Sequence, residues 1–286
     1  MKILRNLVFA RHDPLPSPGS TLGPNDLRTG APLDAKELRA NFGNCIVGTN
    51  AYFGINRLNE RLGGFDFNTA PTIQSWLDLV QPGQEFTLML GVEPNTVDDE
   101  VMVGEGDARR ISAEASYSYV RNNLDIVRQL GGRLDDLIRQ CEAGGATMRC
   151  VVRYASEMNR GTGNGYSGRP QEFKDTYATV HGILKKANPK ILLSFAPGIG
   201  SFSVADVDDY WPGDGLVDLV GCTWYFNGGP DVRDAAKANL DAYFRKYASP
   251  ERPPCVDELG GTVDKGDPLG RNESSFANLH DHLRNL

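Results

Sequence analysis

The sequence lacks two features that would assign it to a membrane or to a nucleic acid. A membrane-spanning helix needs about 18 to 20 consecutive apolar residues, and no stretch of the 286 residues approaches that length. A nucleic-acid binder presents a basic surface to the phosphates, whereas 37 acidic residues against 30 basic ones give this chain a net charge of −7. We therefore expect neither a membrane nor a nucleic acid as a partner.

The sequence also lacks a recognisable secretory leader and a metal-binding cysteine pattern. Its start, MKILRNLVFARHDPL, is basic, but the apolar stretch NLVFA is shorter than the roughly 7–15 residues of a leader's apolar core. We expect either a cytoplasmic protein or a secreted one whose leader has been removed. The odd number of cysteines, with no CxxC motif or Cys/His cluster, predicts reduced thiols and no metal site. They are Cys45, Cys141, Cys150, Cys222 and Cys255.

What the sequence does contain is an alternation of apolar runs and helical patterns. The runs cover 45–54, 86–92, 148–155, 190–198, 216–225 and 253–260. The segments between them repeat apolar residues at i, i+3, i+4 and i+7, as in Leu134, Leu137, Ile138 and Cys141. Similar faces include Phe173, Tyr177, Val180 and Leu184; Leu240, Tyr243, Phe244 and Tyr247; and Phe276, Leu279, His280 and Leu283. The alternation predicts a parallel sheet covered by helices, as a closed barrel or an open doubly wound sheet.

The count of predicted strands falls short of a full eight-stranded barrel. Six strands are clear, the stretch between Val92 and Ile111 leaves room for one more, and an eighth is not evident. Residues 1 to about 40 form an irregular segment rich in Pro, Gly, Ser and Thr. No GxGxxG or GxxxxGK[ST] motif is present, which disfavours a nucleotide-binding open sheet.

Two of the predicted strands end in a glutamate, the position where such folds carry their active sites. Glu157 lies in RYASEMN (153–159), at the end of one predicted strand, and Glu258 lies in CVDELG (255–260), at the equivalent place in another. A buried carboxylate is costly unless it is paired or shifted in pKa, so two that face one cavity favour acid/base or nucleophilic chemistry. The simpler alternative is a solvated loop glutamate. Arg153 lies on the same strand side as Glu157 and could hold a neighbouring carboxylate ionised, whereas Asp257 is expected on the face opposite Glu258, with a structural role.

The stretch from Leu134 to Glu258 resembles glycoside hydrolase family 26, which belongs to the clan of barrel hydrolases that includes β-mannanases. Members carry an arginine followed by His-Glu-Met-Asn, and this sequence has RYASEMN, with Ser156 in place of the histidine. The block YWPGDGLVDLVGCTWY and the block RPPCVDELG resemble the two later family motifs. The resemblance implies a single glycoside-hydrolase barrel domain over residues 1–286, with an α/β fold of the (β/α)8 TIM type. Whether its eighth strand is present stays open, because the sequence shows no candidate for it.

The resemblance also assigns roles. It implies Glu157 as the acid/base, Glu258 as the nucleophile, and substrate-site positions for Arg153, Asn159 and Tyr225. Tyr166 could be a sugar platform in the loop after Glu157. Trp224 is a further substrate-site candidate, although strand alternation favours core or rim packing for it.

These assignments predict a retaining glycoside hydrolase, endo-acting on β-mannan, β-glucan or a bacterial exopolysaccharide, with its carboxyl pair about 5–5.5 Å apart. Such a mechanism needs no metal and no organic cofactor. The oligomeric state stays open. Two alternatives stay open as well: a catalytically inactive carbohydrate-binding protein of the same fold, and an unrelated α/β enzyme whose glutamates are incidental.

Overall fold

The protein was studied as a computed structural model. The structure describes residues 48–55, 80, 82–94, 102–103, 110–111, 113–160, 166–199, 205–225 and 230–260. The irregular N-terminal segment predicted for 1–40, Cys45, the fourth predicted helical face and the region of the eighth strand lie outside these residues.

Ten strands and five α-helices follow one another along the described chain. The strands are β1 (Gly48–Gly54), β2 (Glu85–Glu93), β3 (Met102–Val103), β4 (Arg110–Ile111), β5 (Thr147–Tyr154), β6 (Leu192–Phe195), β7 (Gly198–Ile199), β8 (Leu219–Val220), β9 (Thr223–Tyr225) and β10 (Glu258–Gly260). The helices are α1 (Ala113–Asn122), α2 (Leu124–Ala143), α3 (Pro170–Ala187), α4 (Ala205–Asp208) and α5 (Pro230–Tyr247), with a 3-10 turn at Asp214–Leu216. No described helix is long and apolar enough to cross a membrane.

The strands form a parallel array in chain order. One sheet has the order β1-β2-β5-β6-β8, and a second has the order β10-β9-β7. All pairs within these two sheets are parallel, and a parallel bridge between Val220 and Pro254 joins the last two strand positions. β6 and β7 therefore share one position in the array, and β8 and β9 share the next. The predicted parallel sheet is confirmed, with six strand positions among the described residues.

The two faces of the array differ in chemistry. Leu88, Leu90, Cys150 and Val152 belong to a large apolar core shared with α2 and α3. Residues that alternate with them belong to a small separate cluster on the other face: Met89, Val151 and Leu219, with Leu192 and Cys255 packed against them. Two to four residues further along their strands, this inner face becomes polar, with Arg153, Ser194, Thr223 and Asp257 buried. Period-two alternation places both sets, so the inner face has an apolar layer beneath a polar one.

The predicted helical faces are confirmed where the structure describes them. Helix α2 buries Leu134, Leu137, Ile138 and Cys141, and α3 buries Phe173, Tyr177, Val180 and Leu184. The predicted face of α5 is buried as well, from Leu240 to Tyr247. Cys141, Cys150, Cys222 and Cys255 are free, as predicted.

The structure corrects three details of the predicted elements. Between Val92 and Ile111 the described elements are β3 and β4, which pair antiparallel and do not join the parallel array. The apolar runs 190–198 and 216–225 are each broken into two short strands. In the first run, the break lies at Pro197, which has no N–H for a continuous ladder. Helix α1 was not predicted from the sequence.

Candidate functional site

The backbone makes a tight turn where β5 ends. Ala155 and Glu157 have φ angles of 50° and 57°, a left-handed conformation that is unfavourable for residues other than glycine. The N–H of Ala155 donates to the carbonyl of Val92 at 2.9 Å, and the N–H of Glu157 donates to the carbonyl of Ala196 at 2.8 Å. Both neighbouring strands therefore fix the turn. Strained backbone of this kind concentrates at functional sites.

Glu157 lies in this turn, at the carboxyl end of the parallel array where the sequence placed it. Its side chain is 13% exposed, and its Oε2 accepts a hydrogen bond from Nη1 of Arg160 at 2.6 Å. Arg160 itself is largely exposed, so the pair lies at the boundary between the array and solvent. Glu157 is thus shielded but can be reached from the end of the array.

A second carboxyl group, which the sequence analysis missed, lies beside this turn. Glu93 is the last residue of β2, and its Oε1 accepts a hydrogen bond from Oγ of Ser156 at 2.7 Å. Burial raises the pKa of Glu93 to about 7, and the nearby charge of Glu157 acts in the same direction. The hydrogen bond from Ser156, the nearby Tyr166 hydroxyl and the charge of Arg153 lower that pKa but do not offset the burial. The same strand-end rule that pointed to Glu157 applies to Glu93, which directly follows the apolar run 86–92.

An arginine at the centre of the inner face joins the strands beneath these glutamates. Arg153 has no exposed surface; its Nη2 donates to Oγ1 of Thr223 at 3.0 Å, and its Nε lies 3.7 Å from Oδ2 of Asp257. Oγ of Ser194 donates to the same Oδ2 at 2.6 Å. The carboxylate that Arg153 was expected to hold is therefore Asp257. A direct contact of Arg153 with substrate does not fit its burial.

Asp257 has contacts that fit the structural role expected for it, and its side chain lies on the inner face with Arg153. Its orientation relative to Glu258 stays a prediction, because the Glu258 side chain lies outside the described part of the structure. Gly221 makes this placement feasible, since any Cβ there would clash with Oδ2 of Asp257 and Oγ of Ser194. The room that a single glycine leaves is a packing fact that the sequence pattern did not reveal.

The likeness of this chain to known proteins lies in its fold. No family model matches the sequence, and no curated protein matches it significantly. Among solved structures, the chain is similar to GH26C from Muricauda sp., with 15% identity over 87% of this chain and 81% of that one and a TM-score of 0.53. This chain therefore has an α/β barrel fold similar to that of GH26C. The resemblance predicted from the motifs is thereby confirmed at the level of the fold.

Two further barrels give weaker likenesses. A GH26 β-mannanase from Bacteroides ovatus shares 16% identity over 79% of this chain and 68% of that one, with a TM-score of 0.49. A GH26-CBM35 β-(1,4)-mannanase from Podospora anserina shares 14% identity over 85% of this chain, with a TM-score of 0.48. This chain spans 56% of the Podospora protein.

Three predicted substrate-site residues of the barrel have contacts within the protein. The amide of Asn159 donates to the carbonyl of Gly198 at 2.9 Å and accepts from its N–H at 2.8 Å, which gives Asn159 a positioning contact. Tyr166 is 5% exposed and its hydroxyl donates to the carbonyl of Ser156 at 2.6 Å, so an exposed sugar platform does not fit this residue. Trp224 is buried in the apolar core, in agreement with the packing role that alternation favoured. A direct contact of Asn159 with substrate stays a prediction.

The backbone at Glu258 is level with the turn that carries Glu157. Glu258 begins β10 and pairs with Thr223, which in turn pairs with Gly198. Gly198 is the residue that Asn159 holds. The side chains of Glu258 and Tyr225 lie outside the described part of the structure, so the separation of the two predicted catalytic carboxyls stays a prediction. In the described part of the barrel, no group of three His, Cys, Asp or Glu side chains could hold a metal ion.

Proposed function

We propose that this protein is a retaining glycoside hydrolase that cleaves β-linked polysaccharide. The observation that carries the proposal is Glu157: a shielded carboxyl group in a strained turn, at the carboxyl end of a parallel array with a family 26 fold. In barrels of this kind the active site lies at that end.

The proposed reaction has two steps. Glu157 donates a proton to the glycosidic oxygen while Glu258 attacks the anomeric carbon, so that the leaving sugar departs and a glycosyl–enzyme ester forms. Glu157 then removes a proton from a water molecule that attacks the same carbon, which releases the sugar and restores both glutamates. Attack from opposite faces in the two steps retains the anomeric configuration.

The strand register supports a common site for the two glutamates. The N–H of Glu157 bonds to Ala196, two residues before Gly198, and Gly198 is level with Glu258 through Thr223. Both glutamates thus belong to the same level of the barrel, three strand positions apart. We therefore expect their carboxyl groups to face each other across the carboxyl end of the array, at about the 5–5.5 Å that retention requires.

The polar layer beneath the site supports the same assignment. Arg153 and Asp257 form a buried pair, with Arg153 four residues before Glu157 and Asp257 directly before Glu258. Ser194 and Thr223 satisfy further groups of this pair from the intervening strands. A hydrogen-bonded charge pair in this position links the two strands that carry the proposed catalytic residues, and so limits the movement of one relative to the other.

The experiment that tests the proposal is release of reducing ends from β-mannan, β-glucan, xylan and bacterial exopolysaccharides. β-Mannan comes first, because the sequence motifs resemble a family that includes β-mannanases. We expect the wild type to release sugar and Glu157→Gln and Glu258→Ala each to lower kcat by roughly three orders of magnitude or more. Glu85→Gln is the matched control: Glu85 lies at the opposite end of β2, paired with Arg149. Hydrolysis unaffected by Glu258→Ala would exclude the mechanism.

A second candidate function is carbohydrate binding without turnover. Arg160 bonds to Oε2 of Glu157, an oxygen that a general acid would have to present to the glycosidic oxygen. If the pair persists with a sugar bound, Glu157 cannot donate its proton. Calorimetric binding of an oligosaccharide that the protein does not cleave, followed by gain of turnover in Arg160→Ala, would identify this case.

A further inference from the structure

We propose that Glu93 is a positioning residue for Glu157: its carboxyl group, in the protonated form, holds the turn from which Glu157 projects. The inference rests on the proposed function only for the role of Glu157. Neither the sequence motifs nor the family resemblance pointed to Glu93.

The geometry of the turn is the first support. Ser156 lies between the two left-handed residues Ala155 and Glu157, and both its hydroxyl and its carbonyl group form hydrogen bonds. Its Oγ donates to Oε1 of Glu93 at 2.7 Å, and its carbonyl accepts from the Tyr166 hydroxyl at 2.6 Å. A strained turn persists only when its surroundings determine it fully. Glu93 and Tyr166 supply that constraint on the side chain and the backbone of Ser156.

The environment of Glu93 is the second support. Its Oε2 is sealed from solvent and has no hydrogen-bond partner among the described residues. A carboxylate in this place would leave a charged oxygen buried and unsatisfied, whereas a protonated carboxyl accepts from Ser156 through one oxygen and carries its proton on the other. Protonation therefore removes the buried charge from this contact.

The charges that face Glu93 favour the same form. The titratable groups around it are Arg153 and Tyr154 of β5, Glu157 of the turn, Tyr166 of the following segment and Tyr117 of α1. Arg153 is the one cation of this set, and it already bonds to Thr223 and lies beside Asp257. The negative charge of Glu157 disfavours a second negative charge on Glu93. Loss of the Glu93 proton would place a second, buried negative charge beside Glu157, and the repulsion between the two carboxylates would disturb the placement of Glu157.

The experiment is a pH titration of the methyl groups beside Glu157 by NMR of the full chain. Ala155 and Met158 flank the turn, and Met148 at the start of β5 is the internal reference. We expect the Ala155 and Met158 methyl signals of the wild type to shift with a midpoint near pH 7, as the pKa of Glu93 indicates. This step should survive in Glu157→Gln, disappear in Glu93→Gln, and be absent from Met148. A step that disappears in Glu157→Gln but persists in Glu93→Gln would overturn the inference.

Hydrolysis gives a second readout. At about pH 5, where an ordinary glutamate is already largely ionised but Glu93 stays protonated, Glu93→Gln keeps the acceptor for Ser156 and should retain kcat within roughly threefold. Glu93→Ala removes it and should lower kcat roughly tenfold or more with little change in KM, because Glu157 is displaced rather than the substrate site lost. Equal kcat values for the two variants would contradict a positioning role. A wild type that hydrolyses nothing would overturn the proposed function, while the methyl titration would still decide the inference.

Discussion

The buried carboxyl of Glu93 makes the stability of this protein depend on pH, and Glu93→Gln should remove that dependence. Glutamine has the same shape, can accept the hydrogen bond from Ser156, and carries no charge at any pH. The comparison of wild type and variant therefore isolates the ionisation of one group. Its folded pKa of about 7 lies above the ordinary value of 4.5.

The magnitude follows from the two pKa values. At pH values between these two pKa values, the folded protein holds a proton on Glu93 that the unfolded chain has lost. The free energy of unfolding therefore falls as pH rises from 4.5 to about 7, and is then constant. A difference of about 2.5 units at about 1.4 kcal/mol per unit gives about 3 kcal/mol. The wild type should thus lose about 3 kcal/mol relative to Glu93→Gln between about pH 4 and about pH 8.

The assay is urea unfolding at 25 °C, followed by tryptophan fluorescence, at several pH values over this range. The quantity of interest is the difference in free energy of unfolding between wild type and Glu93→Gln, since other titrating groups cancel in it. Glu85→Gln is the control on the same strand, because Glu85 is partly exposed and paired with Arg149; this variant retains Glu93 and should keep the dependence on pH of the wild type near pH 7. A wild-type-minus-Glu93→Gln difference that stays flat within about 0.5 kcal/mol across the range would refute a buried, protonated Glu93.

Three further substitutions test the polar layer and the turn. Arg153→Met leaves Asp257 buried without its cation and should cost about 3–5 kcal/mol in urea unfolding, more than the double variant Arg153→Met/Asp257→Asn. Gly221→Ala should lower the free energy of unfolding by about 1–3 kcal/mol, because the added methyl group clashes with the inner polar layer. Gly182→Ala, in α3 with open space around it, should raise it by about 0.5–1 kcal/mol. The opposite order of the two variants would contradict the packing at Gly221. Asn159→Ala removes two hydrogen bonds to backbone and should lower the free energy of unfolding by about 1–3 kcal/mol, and an unchanged value would show that the contacts do not form.

Strand-end reasoning located part of the site and missed part of it. Glu157 was found because it ends an apolar run and matches a motif, and the turn that holds it is present. Glu93 satisfies the same rule but matches no motif, so it was overlooked. Asn159 and Tyr166 were recognised as notable residues, but their contacts with Gly198 and Ser156 depend on segments that fold against them. Sequence spacing does not show which backbone group a side chain will meet.

The sequence by itself determined the alternation of strands and helices, the helix faces that are buried, and the strand ends at which glutamates occur. These follow from periodicity along one segment, which each segment carries in its own residues. Only the tertiary structure decided which groups meet. Glu93 and Ser156 are 63 residues apart in the chain yet share a hydrogen bond, and Asp257 reaches Arg153 because Gly221, between β8 and β9, has no side chain. A pKa of about 7 for Glu93 likewise arises from burial, a property that a residue acquires only when the strands around it have assembled.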